Sequence, residues 1–185
     1  MKLASISYLG ADCLVLSIGD DQLVNVADAM NACFGEGVAV PGDMLSLLQL
    51  GDSGMSQIAK ALEYAEANPG KVTRFSQSSV QWHAPIRNPG KICGIAMNNS
   101  ASNSRKISAP AHPAFFLKPA SCLVGHNEEI SIRKYYGSVH PEPELAVVIG
   151  KKMRDVPAVD AINYVAGYSV MNDITGNGMR AEDLF

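Results

Sequence analysis

The stretch His140-Pro141-Glu142-Pro143-Glu144-Leu145-Ala146-Val147-Val148-Ile149-Gly150 sets two carboxylates at the head of an unbroken apolar run. Glu144 to Ile149 is short, rich in β-branched residues and closed by a glycine, which predicts a strand. Strand side chains alternate between faces, so Glu142 and Glu144 point the same way. Two like charges side by side are unfavourable unless a cation or a shared proton relieves them. A second apolar strand, Val165 to Asn172, runs into Asn172-Asp173-Ile174-Thr175 and brings a third carboxylate to a strand end. Three oxygen donors with no Cys or paired His beside them suit a hard divalent ion, Mg2+, Mn2+ or Ca2+. Spacing alone leaves a second reading open, in which all three are exposed charges at strand edges.

Upstream, Ile92-Cys93-Gly94-Ile95-Ala96-Met97 predicts a buried strand that opens onto the polar loop Asn98 to Lys106. Ala114 to Leu117 and Glu129 to Ile132 predict further strands, and Val156 to Tyr164 a helix with Pro157 in its first turn. The prolines and glycine of His83-Ala84-Pro85-Ile86-Arg87-Asn88-Pro89-Gly90-Lys91 mark a boundary, which divides the chain into 1–80 and 81–185. In the first unit, Cys13 to Ile18, the turn Gly19-Asp20-Asp21 and Gln22 to Val26 predict a β-hairpin. Apolar positions Met55, Ile58, Ala59, Leu62 and Ala65 recur at helical spacing, giving one helix stopped by Asn68-Pro69-Gly70. Asp28, Asp43 and Asp52 read as turn or cap residues. The fold class is α+β, mostly β.

Composition excludes several functions. Of 185 residues 47% are hydrophobic and 18% charged, enough for a real core. Lys and Arg number 15 against 18 Asp and Glu, a net charge of −3 with no basic block, which argues against a nucleic-acid binder. No run approaches the roughly 18 apolar residues of a membrane span. Cys13, Cys33, Cys93 and Cys122 lack thiolate-metal spacing and read as reduced, mostly structural residues of a cytoplasmic protein.

An ordered series of motifs goes further. Pro89-Gly90-Lys91-Ile92, Pro113-Ala114-Phe115-Phe116-Leu117-Lys118-Pro119, Glu142-Pro143-Glu144-Leu145-Ala146-Val147-Val148-Ile149-Gly150 and Gly167-Tyr168-Ser169-Val170-Met171-Asn172-Asp173 together resemble the fumarylacetoacetate hydrolase family over residues 85 to about 178. The resemblance implies a mixed β-roll core behind a small α/β N-terminal domain, usually in a homodimer. It implies a divalent metal, Mg2+ foremost, held by Glu142, Glu144 and Asp173. It also implies a 2-oxo acid or related dicarbonyl substrate, cleaved, decarboxylated, hydrated or tautomerised. C–C hydrolysis of an acylpyruvate-like acid in aromatic catabolism is the nominal reaction.

The chain departs from that pattern at two places. Where many members carry a His and a Glu as a base dyad on the loop after the first core strand, this sequence has Ser102 and Arg105. A hydroxyl and a guanidinium are not bases near neutral pH, so they cannot activate water as an imidazole–carboxylate pair does. This shifts weight towards isomerase, hydratase or decarboxylase chemistry, or towards a metal-binding member without catalysis. Gly176-Asn177-Gly178 replaces the stretch in which members often have a substrate-binding arginine, and Arg180 is the nearest candidate to substitute. His112, at the far end of the loop, is the candidate replacement base or an ordinary loop histidine. His140 is a candidate neighbour of the carboxylates, whereas His83 and His126 sit among turn residues. Lys118 either holds a carboxylate or reaches solvent, and Arg105 with Lys106 either meets a second substrate carboxylate or stays solvated. Family members normally continue beyond the third ligand, so the sequence predicts that 185 residues are the N-terminal portion of a longer polypeptide.

Overall fold

The Gly19-Asp20-Asp21 turn closes a hairpin in the expected register, pairing Ile18 with Gln22, and Gly19 takes the positive φ of 60° that the turn requires. In this computed structural model, which describes residues 1–98 and 112–180, the hairpin is β2 (Ala11–Ile18) and β3 (Gln22–Asn25). It lies inside a five-stranded sheet with β1 (Leu3–Tyr8), β4 (Arg74–Ser76) and β5 (Gln81–Trp82), ordered β4-β3-β2-β1-β5. Every ladder of the sheet is antiparallel.

Three helices cover one face, where the sequence predicted one. β3 passes directly into α1 (Val26–Phe34), so Val26 opens a helix instead of ending a strand. The Asn25 side chain accepts a hydrogen bond from the Asp28 amide at 3.1 Å, capping α1. α2 (Met44–Gln49) starts in a capping box: Asp43 Oδ1 accepts from the Ser46 amide at 2.7 Å, and Ser46 Oγ accepts from the Asp43 amide at 3.1 Å. α3 (Gly51–Ala67) is the expected helix, and it stops where Asn68-Pro69 begins. Asp28 and Asp52 lie in first turns, where a negative charge complements the helix dipole.

The sheet is packed on both sides. Leu14, Leu16 and Val24 meet Val26, Ala29, Met30, Leu47 and Ile58 of the helices. The opposite face holds Ile6, Val15, Leu23 and Phe75. Among the described residues, every buried hydrophobic side chain falls between Ile6 and Phe75.

Among the described residues, the rest of the chain forms three two-stranded antiparallel ladders. β6 (Ile92–Ala96) pairs with β7 (Ala114–Lys118). β8 (Val139–His140) pairs with β11 (Thr175–Gly176), and β9 (Pro143–Ile149) with β10 (Val165–Asn172). α4 (Asn177–Arg180) follows β11. Three expectations need correction. β6 forms as a strand but is not buried, with Ile95 49% exposed. Glu129 to Ile132 is not a strand: no described strand pairs with it, and Ile130 and Ile132 stay exposed. The segment expected as a helix over 156–164 is a 3-10 helix at Ala158–Tyr164, with Pro157 as its N-cap and an Asp160 amide bond to the Pro157 carbonyl at 2.9 Å.

Candidate active site

β9 and β10 run antiparallel with Asn172 opposite Pro143 and Met171 opposite Glu144. The ladder gains one more step where the Asp173 amide donates to the Glu142 carbonyl at 2.8 Å. The Glu142 amide in turn donates to Asn172 Oδ1 at 3.0 Å, so the asparagine side chain fixes the backbone that carries the first carboxylate. Asp173 therefore stands opposite Glu142. Directly opposed residues share a face, and so do residues two apart on a strand. Glu142, Glu144 and Asp173 thus leave the same face of the ladder. The other face carries Leu145, Val147, Ile149, Tyr168 and Val170, all exposed.

Lys118 ends β7, opposite Ile92, and its ammonium forms an ion pair with Asp173 Oδ1. Both side chains are shielded, at 23% and 15% exposure, which spares the pair part of the solvent screening of a surface contact. The ammonium also lies 5.9 Å from the Phe116 ring centre. The carboxylate that Lys118 meets is therefore one supplied by the chain itself. This contact joins the β6–β7 ladder to the β9–β10 ladder.

The donor set fits a hard divalent ion in its chemistry and its backbone placement. Among the described residues, however, no three His, Cys, Asp or Glu side chains are arranged to hold a metal ion. One of the three, Asp173, is instead paired with the Lys118 ammonium.

The remaining candidates are dispersed. His112 is exposed two residues before β7, and no hydrogen bond or ion pair among the described residues joins it to the carboxylates. His140 faces Thr175 across the β8–β11 ladder. Arg180 closes α4. Ser102 and Arg105 lie outside the described residues.

Sequence reasoning missed a second polar cluster. His83, expected only as an exposed turn residue, has a side chain just 10% exposed. Ser7 donates its hydroxyl to Asp12 Oδ1 at 2.5 Å. A hydroxyl has one proton, so the 2.6 Å contact between Ser7 Oγ and His83 Nε2 has the imidazole donating. His83 Nδ1 lies 3.6 Å from Glu128 Oε1, and Arg87 pairs with Asp12. The Ser7 hydrogen bond, helped by Arg87, holds the Asp12 carboxyl below the usual carboxylate range, while burial pushes the Cys13 thiol up. Asp12, Cys13, His83, Arg87 and Glu128 line a cleft of about 530 Å3. The carboxylates of the β9–β10 ladder lie outside this cleft. The cluster joins positions 7, 12, 83 and 128, a separation with no short-range sequence signal.

The sequence model of the fumarylacetoacetate (FAA) hydrolase C-terminal family matches residues 91–184. The chain is 29% identical to oxaloacetate tautomerase YisK of Bacillus subtilis, over 97% of this chain and 62% of that protein. Among solved structures it resembles a 5-carboxymethyl-2-hydroxymuconate delta-isomerase from Mycobacterium smegmatis, with a TM-score of 0.66 and 25% identity over 99% of this chain and 58% of the other. It also resembles maleylpyruvate hydrolase from Sphingobium sp. SYK-6, solved with manganese(II) and pyruvate, with a TM-score of 0.65 and 25% identity. That match covers 94% of this chain and 58% of the hydrolase. The chain thus spans less than two thirds of each of these proteins.

Proposed function

Because the chain belongs to the fumarylacetoacetate hydrolase family, whose members are enzymes that include hydrolases, isomerases and tautomerases, we propose that it is a divalent-metal enzyme that moves a proton on a 2-oxo acid by keto–enol tautomerisation or isomerisation. The observation that carries this reading is the placement of Glu142, Glu144 and Asp173 on one face of the β9–β10 ladder. A divalent ion held by these carboxylates, Mg2+ or Mn2+, would supply Lewis-acid polarisation of the 2-oxo carbonyl and its carboxylate.

The chain's own residues do the rest. Asn172 holds the Glu142 backbone in place through its side-chain amide oxygen. Lys118 brings a fixed positive charge beside the carboxylates, where it stabilises negative charge developing on the substrate oxygen. His112 is the candidate that takes a proton from the substrate carbon. Ser102 and Arg105 in place of an imidazole–carboxylate dyad leave no residue there to activate water, which favours proton relocation over hydrolysis. Arg180 is the candidate partner for a second substrate carboxylate. The enzyme works as a homodimer, as the family resemblance implies, and in the cytoplasm, in line with its four unpaired cysteines.

C–C hydrolysis of an acylpyruvate-like acid is the second reading, favoured by the likeness to maleylpyruvate hydrolase. Oxygen-18 incorporation separates the two. Ketonisation of enol-oxaloacetate followed in the ultraviolet, without label entering acid products of an acylpyruvate panel, supports tautomerisation. Labelled acid products identify a hydrolase. Binding of Mn2+ and oxalate in a calorimeter with no turnover of any oxo acid would mark a binding protein and refute both.

A further inference from the structure

We propose that Lys118 sets the charge of the carboxylate site, matching it to a divalent ion and weakening its hold on ions of higher charge. This inference rests on the metal-site reading above and deepens it.

Glu142, Glu144 and Asp173 leave one ladder face, and Lys118 pairs with the last of them. Three carboxylates against one ammonium give a formal charge of −2, which a divalent cation neutralises. The ammonium is built into the site: it ends β7 in register with Ile92, is 23% exposed, and sits near the face of Phe116. Asp173 Oδ1, engaged by an ammonium, presents less of its charge to another cation. Lys118 and a metal ion therefore compete for this oxygen and repel each other.

Coulomb repulsion between the ammonium and a bound ion scales with the charge of that ion. Replacing Lys118 by a neutral side chain therefore raises the logarithm of affinity half again as much for a trivalent ion as for a divalent one. If Mn2+ gains about tenfold, Tb3+ gains about thirtyfold. A residue that merely braced the structure would change both affinities by the same factor, and downwards.

The test uses the whole chain, treated with chelator and titrated with Mn2+ by calorimetry and with Tb3+ by luminescence. Lys118→Met is expected to bind both ions more tightly, with the ratio of Tb3+ to Mn2+ affinity rising about threefold. Lys118→Arg keeps the charge and is expected to keep the wild-type ratio, and it remains informative if the methionine variant fails to fold. Equal losses for both ions in Lys118→Met, or a risen ratio in Lys118→Arg, would overturn the proposal and leave the metal site standing. If the wild-type chain binds neither ion, the metal-site reading fails and the proposal fails with it.

Discussion

Replacing Ile58 by Ala and Val170 by Thr probes how unevenly the chain buries its apolar groups. Ile58 is fully buried between α3 and the sheet. The change removes three carbons worth about 0.8 kcal/mol each, and the cavity left behind brings the loss to about 3–4 kcal/mol. Alanine recovers only about 0.4 kcal/mol through helix propensity. Val170 is as apolar but 84% exposed on β10. Threonine keeps its shape and strand preference, so only the buried sixth of the side chain is at stake, roughly 0.3–0.5 kcal/mol. Urea unfolding followed by far-ultraviolet circular dichroism measures both, at two protein concentrations tenfold apart. A loss above about 2 kcal/mol for Val170→Thr that does not vary with concentration would refute the exposed face. A loss that grows on dilution would instead mark that face as a contact between copies.

Three further outcomes follow from local geometry. Asp43→Ala removes the capping box of α2 and is expected to cost about 0.5–2 kcal/mol in the same unfolding assay. Asp12 and Asp43 both titrate below the ordinary carboxylate value, Asp12 chiefly through the Ser7 hydrogen bond and Asp43 chiefly through the Ser46 amide. Their stabilisation is therefore complete above the unfolded value of about 3.9 and is lost as pH falls through the lower folded values. Asp43→Asn keeps a cap without the titration, so its acid unfolding limb between pH 4 and 2 should be shallower than that of the wild type. A Cβ at Gly94 would strike the Phe116 ring directly across the β6–β7 ladder, so Gly94→Ala is expected to swing the ring outward and cost about 1–3 kcal/mol. Tighter Mn2+ binding in that variant would show that the displaced ring also draws Lys118 away from Asp173.

Where sequence and structure agree, the information was local. The β2–β3 hairpin announced itself through one glycine turn between two apolar runs, and β10 through its own apolar composition up to Asn172. α3 showed its stripe because Met55, Ile58, Leu62 and Ala65 all join the core cluster, although Ala59, counted in the same stripe, is exposed. α1 was missed although Asn25 and Asp28 form an N-cap signature, because Gln22 to Val26 continues the apolar run without a break. The strand expected over 129–132 failed for a different reason: β propensity cannot supply a pairing partner. The site divides in the same way. The carboxylates were legible from their spacing, since Glu142 and Glu144 lie on one segment and Asp173 ends the next apolar strand. Lys118 was legible as a candidate but not as a partner of Asp173, and His83 was misread because its neighbours Ser7, Asp12 and Glu128 come from three separate segments.

The pairing of β9 with β10 also bears on how the site assembles. Glu142 and Asn172, whose contact closes the acidic end, are 30 residues apart, whereas Lys118 and Asp173 are separated by 55. Closing a loop costs entropy that rises slowly with its length, and nearby contacts form sooner than distant ones. The acidic end of the hairpin is thus expected to form first, with its negative charges drawn together before the ammonium arrives. Repulsion among those charges works against that early step, and dissolved salt relieves it. Refolding of the hairpin should therefore quicken with ionic strength.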